Sequence, residues 1–90
     1  MTTNTDAEDF AERMFSSALG YFDILSIYVG LRLELYGALN AGGSKTSHEL
    51  AERAGIHERY AREWLEQQAT RGILHADVTG PEPRFSLPAA

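Results

Sequence analysis

The chain has no cysteine and a single lysine, Lys45, among its 90 residues. The first absence excludes disulfides and thiolate metal sites. The second leaves little positive charge: eight lysine and arginine residues stand against thirteen acids, for a net charge of −5. An acidic chain repels nucleic acid at long range, and only a local basic patch would override that. His48, His57 and His75 form no pair at helical ligand spacing. No metal site is expected, because a closed site needs three or four converging ligands. The start, Met1 to Asp9, is acidic and polar, so it lacks the basic stretch and apolar run of a secretory signal. Residues 18–39 are apolar but hold Asp23, Arg32 and Glu34. Each would cost roughly 2.5–3.5 kcal/mol at a bilayer centre. A cytoplasmic protein outside the membrane is therefore expected.

What is present describes one small folded domain. The apolar share is 43%, ordinary for a globular chain. A chain this short buries only about 60–65% of its unfolded surface, so its core is marginal unless a partner adds to it. Residues 1–5 read as a disordered tail. A helix is expected from Asp6, with acids in its first turn favouring the positive end of the helix dipole. Gly20 is expected to end or bend it. A second helix is expected from Tyr21 to Asn40, stopped by Gly42-Gly43. Its apolar residues cover nearly the whole circumference, the mark of a buried helix. It could be the central helix of the fold, or part of it could pack on another subunit or a further domain. The second reading makes 6–41 a helical dimerisation segment, with Phe10, Met14, Leu25, Val29 and Leu33 as interface candidates.

Residues 42–90 read as a winged helix-turn-helix. Thr46 and Glu49 have the spacing of a capping box. Gly55 is placed to end that helix in the left-handed conformation, with Ile56 folding back. His57 is expected to cap the next helix, Glu58 to Arg71, with Tyr60, Ala61, Trp64, Leu65 and Ala69 inward. Ile73 to Ala76 and Arg84 to Leu87 read as two short strands joined by a turn containing Pro81 and Pro83. The fold class expected is mainly α: a winged helix-turn-helix with two N-terminal helices and a short C-terminal β-hairpin wing.

Such a shape places its second helix in the DNA major groove, yet the charge opposes that use. On residues 58–71, Arg59, Arg62 and Arg71 are matched by Glu58, Glu63 and Glu66. Arg59 with Glu63, and Arg62 with Glu66, have i,i+4 spacing, the pattern of a solvated helix face. As a DNA-binding regulator, the chain would have to use Lys45, Arg59, Arg62 and Arg84 for phosphate contacts.

The stretch Thr46 to Gly55, the run Glu58-Arg59-Tyr60-Ala61-Arg62-Glu63-Trp64-Leu65 and the close Arg84-Phe85-Ser86-Leu87-Pro88 together resemble a known domain. It is the N-terminal winged-helix domain of bacterial S-adenosylmethionine-dependent methyltransferases. Gly30 to Leu39 is similar to the preceding helix of that family, and the resemblance spans about residues 8 to 88. It implies a dimerisation and substrate-covering module ahead of a Rossmann-like catalytic domain. It also implies a homodimer, S-adenosylmethionine as cofactor of the full-length enzyme, and an acceptor pocket lined in part by Phe15, Tyr21, Phe22 and Tyr28. The family's Gly-x-Gly-x-Gly cofactor loop is missing from these residues. No catalytic or cofactor-binding residue carries over, and an excised or truncated domain without methyl transfer of its own is expected. The competing expectations are a small transcriptional regulator and a partner chain for a separate catalytic subunit.

Overall fold

A computed structural model describes residues 3–88. Four helices and a hairpin follow in order: α1 (Thr3–Arg32), α2 (Leu35–Asn40), α3 (Ser47–Ala54), α4 (Glu58–Thr70), β1 (His75–Asp77) and β2 (Arg84–Ser86). This is the expected mainly helical winged helix. Of the tail expected at 1–5, residues 1 and 2 lie outside the described residues, and Thr3 to Thr5 belong to α1.

The expected break at Gly20 is absent: α1 runs through it for 30 residues, about 45 Å at 1.5 Å per residue. A single glycine weakens a helix by about 1 kcal/mol relative to alanine but does not stop one. A Cβ at Gly20 would meet nothing within 4 Å. Gly20→Ala should therefore raise stability by about 1 kcal/mol, read as a rise in the thermal unfolding midpoint with unchanged helicity.

The true break lies at Leu33-Glu34, inside the single helix expected from 21 to 40. Glu34 takes the left-handed conformation, φ 58° and ψ 34°. Its amide bonds back three residues, to the Leu31 carbonyl (3.2 Å), while its own carbonyl receives Ala38 N–H (3.1 Å) and starts α2. A non-glycine residue there costs about 1–2 kcal/mol. The turn is offset by what it delivers: Leu35, Ala38 and Leu39 enter the core.

That core joins these residues to Leu50 and Ala51 of α3, Ala61, Trp64 and Leu65 of α4, then Leu74 and Phe85 of the wing. None comes from α1. The capping box on α3 is complete: Glu49 N–H donates to Thr46 Oγ1 (3.2 Å), and Thr46 N–H to Glu49 Oε1 (2.9 Å). Gly55 closes the helix at φ 71°, and the amides of Gly55 and Ile56 both donate to Ala51 O. The hairpin is antiparallel, with Ala76 opposite Phe85. Phe85 also exchanges both backbone hydrogen bonds with Lys45 (2.9 and 2.8 Å), tying the wing to the segment before α3.

Two placements differ from expectation. Tyr60 lies outside at 67% exposure, whereas Gln68 is fully buried in its stead. Gln68 is tolerated because its polar atoms are satisfied: Nε2 donates to Ser26 Oγ (2.8 Å) and Oε1 accepts from the Tyr36 hydroxyl (2.5 Å). His57 holds the N-cap position of α4 without a side-chain capping bond. Its ring instead packs edge-on against Tyr60, centroids 6.0 Å apart.

Candidate interaction surface

α1 is docked by its polar side. Along the stripe facing α4 stand Asp23, Ser26 and Gly30, which with Leu19, Gly20 and Ile27 are the least exposed positions of its second half. Arg71 grips Asp23 with two nitrogens, Nε to Oδ1 at 2.8 Å and Nη2 to Oδ2 at 2.9 Å. Ser26 Oγ donates to Gln67 Oε1 (2.6 Å), and the Trp64 indole N–H donates to the Ser26 carbonyl (2.9 Å). Gly30 is where the helices come closest: a Cβ there would lie 2.5 Å from Tyr36 Cε2 and 2.6 Å from Trp64 Cζ2.

The apolar side of α1 faces away from the body. Phe10, Met14, Phe15, Tyr21, Phe22, Ile24, Leu25, Tyr28, Val29 and Leu31 are each 41–67% exposed. Leu33, just past the helix, is likewise exposed. All the interface candidates and all the pocket candidates read from the sequence thus lie on one open surface. The normal order, apolar stripe inward and polar stripe outward, is inverted in α1. The radius of gyration is 16.5 Å and the longest dimension 57 Å; a compact chain of this length has a radius near 12 Å. A shallow concavity of about 870 Å³ is bordered only by α1 residues between Asp9 and Ser17, with no opposing wall.

The anchor has a pH dependence. The Arg71 hydrogen bond to Asp23 is the main cause holding its carboxyl below its ordinary value of 3.8, aided by Arg71's charge and Gln67 and opposed by partial burial. A lowered folded pKa means this contribution is complete above the unfolded value and lost as pH falls through the folded one. The thermal midpoint should therefore drop below about pH 4, and Asp23→Asn should remove part of that slope. The other three lowered carboxyls act in the same direction. Glu49 is held by the Thr46 amide, Glu58 by the Ser47 hydroxyl and Asp77 by the Thr79 side chain.

On the face a winged helix presents to DNA, each candidate cation is already engaged. Arg59 pairs with Glu63 (3.3 Å). Arg62 pairs with Glu58 (3.9 Å) rather than with the Glu66 expected from spacing, because Ser47 holds the Glu58 carboxylate beside it (2.6 Å). Arg84 bonds Glu49 (3.0 Å) and the Ser44 carbonyl (2.9 Å). Lys45 is only 8% exposed, its ammonium donating to the Ala41 and Gly43 carbonyls after α2. The groove between α3, α4 and the wing, about 180 Å³, is lined by Glu58, Glu66 and Glu82 with Arg62 and His48. Phosphate binding needs unopposed lysine and arginine, and this face offers none among the described residues.

The described residues do not fit S-adenosylmethionine. The one sheet is a two-stranded antiparallel hairpin, whereas a nucleotide-type cradle needs a parallel strand, a glycine loop and a helix. Gly42 and Gly43 form the turn after α2, at φ 88° and 84°.

Fold and surface together define a winged helix-turn-helix whose DNA face is neutralised and whose first helix is left bare. The chain belongs to the Rv2258c-like winged HTH domain family, which matches residues 22–90. Among solved structures it is similar to the mitomycin 7-O-methyltransferase MmcR, at 30% identity and TM-score 0.73, over 94% of this chain and 24% of that one. It also shares its fold with human N-acetylserotonin methyltransferase solved in complex with SAM. There the identity is 15% and the TM-score 0.76, over 87% of this chain and 23% of that one. The chain thus spans about a quarter of the length of either enzyme. No curated protein matches the sequence.

Proposed function

We propose that this chain is the N-terminal winged-helix module of an S-adenosylmethionine-dependent small-molecule methyltransferase. It pairs two copies and covers the substrate pocket, while methyl transfer belongs to a further domain. The observation that carries this reading is the inverted α1: a helix tethered by Asp23 and Ser26 and presenting its aromatic side outward is built to be covered by something else. The 30% identity to a methyltransferase over nearly the whole chain supports the enzyme context. Within residues 6–41, α1 is the pairing element, while α2 serves the winged-helix core. Phe15, Tyr21, Phe22 and Tyr28 are the aromatic side chains available to a pocket wall. Phe10, Met14, Leu25, Val29 and Leu33 are those available to a second copy. A cytoplasmic enzyme accords with this role.

The reading is tested by three measurements on the ninety-residue chain. Sedimentation should show a dimer, calorimetric titration with S-adenosylmethionine no binding, and a low-salt mobility shift no sequence-selective complex with DNA. A selective shift lost in Arg62→Ala would overturn it in favour of a transcriptional regulator, and micromolar S-adenosylmethionine binding would overturn the division of labour.

A further inference from the structure

We propose that two copies of α1 pair antiparallel along one defined seam, with the two-fold axis beside residue 19; this rests on the dimerisation reading above. The face of α1 opposite its α4 contacts carries positions 7, 10, 14, 17, 21, 24, 28 and 31. Their spacing alternates three and four, the repeat that keeps one stripe against a partner helix in a coiled coil. Six of the eight are large and apolar, and those six are 50–66% exposed. At the roughly 150–250 Å² a large side chain such as an aromatic one buries, they leave on the order of 500–900 Å² uncovered. That approaches the roughly 800 Å² per partner of a stable interface.

The spacing reads the same from either end, so an antiparallel copy matches it over its full length. Ala7 then meets Leu31, Phe10 meets Tyr28, Met14 meets Ile24, and Ser17 meets Tyr21, each pair occurring twice by symmetry. The central pair places a small side chain against a ring. Charge selects the same direction. Asp6, Glu8, Asp9 and Glu12, against Arg13 alone, crowd the first turns. A parallel pair would stack these acids on their copies, whereas the antiparallel one sets Arg32 level with the partner's acidic end. Of the interface candidates the seam takes Phe10 and Met14; it also takes up Tyr21 and Tyr28, and leaves Leu25 and Val29 with Phe15 and Phe22 on the neighbouring flank, where the two phenylalanines are free for a substrate pocket.

The absence of cysteine makes disulfide trapping clean. Phe10→Cys and Tyr28→Cys, both at exposed positions of the single chain, should each stay uncrosslinked when oxidised alone. When mixed, they should give a linked heterodimer; Met14→Cys with Ile24→Cys checks the same register one layer inward. Self-linking of each variant alone would overturn the antiparallel register in favour of a parallel seam. A dimer by sedimentation that gives neither mixed link would place the interface elsewhere and overturn the seam. A monomer would sink the dimerisation reading itself, and a monomer that floats with phosphatidylcholine vesicles would give this face to lipid instead.

Discussion

Replacing Tyr21 and Ile24 together with glutamate is expected to abolish self-association while leaving the winged helix folded. Both side chains are exposed in the single chain, at 61% and 66%. The substitutions therefore remove no contact within the core. In the paired form the same positions are covered, and each variant chain would bury two carboxylates without partners. An unpaired buried charge costs several kcal/mol, so even about 4 kcal/mol in total weakens the dissociation constant about 10³-fold. Two readouts check this. Sedimentation should show a monomer at concentrations where the parent is dimeric. The thermal midpoint, which depends on concentration in a self-associating chain, should become independent of it. Unchanged association would show that this face of α1 is not the interface.

The second large effect is expected at Gly30. Gly30→Ala introduces a methyl 2.5 Å from the Tyr36 ring and 2.6 Å from the Trp64 ring, well inside contact distance. Neither ring is free to retreat. The Tyr36 hydroxyl is held by Gln68, and the Trp64 indole by the Ser26 carbonyl. The two rings also pack edge-on, with centroids 5.1 Å apart. Overpacking of this kind costs about 1–3 kcal/mol, and a chain of this size loses roughly 4–8 °C in its midpoint per kcal/mol. Because the clash lies between α1 and its support, Gly30→Ala should also weaken association by changing the angle at which α1 is presented. Gly20→Ala, ten residues earlier on the same helix, should do the opposite. The contrast separates a glycine required for close approach from one that is merely tolerated.

Much of residues 42–90 was legible because the signals there are local and act within one turn. Thr46 and Glu49 cap a helix wherever they fall at that spacing. Gly55 ends one because the left-handed position suits a residue without Cβ. The errors cluster where a long-range contact decides. Gly20 lacks the partner that would make it a break, whereas Glu34 is forced left-handed with no local glycine or proline to announce it. The reason lies in Leu35 and Leu39, which can reach the core only if the chain turns first. Nothing in the sequence marked Gln68 for the core, and it is buried because Ser26 and Tyr36, distant in sequence, satisfy its amide. Tyr60 looked like core, but Trp64 and Leu65 already fill the space beneath α4.

The site was legible in part. The apolar girth of residues 21–40 pointed to a surface in need of cover, and the structure shows that surface bare over most of α1. The sequence pattern did not reveal which side of the helix would be spent on its own domain. Asp23 and Ser26 hold that answer, since polar side chains facing α4 turn the aromatic ones outward. On α4, the i,i+4 pattern showed neutralised charge correctly, but it could not show that Ser47 draws Glu58 toward Arg62. Nor could it show that Lys45 is folded under the Ala41 and Gly43 carbonyls that follow α2.

The most direct test of this account is sedimentation of the ninety-residue chain over a concentration series up to about 100 μM, where even a weak interface of roughly 6 kcal/mol would be substantially occupied. A covered α1 predicts a dimer that dissociates on dilution. A single monomeric species throughout, with α1 still helical, would contradict it.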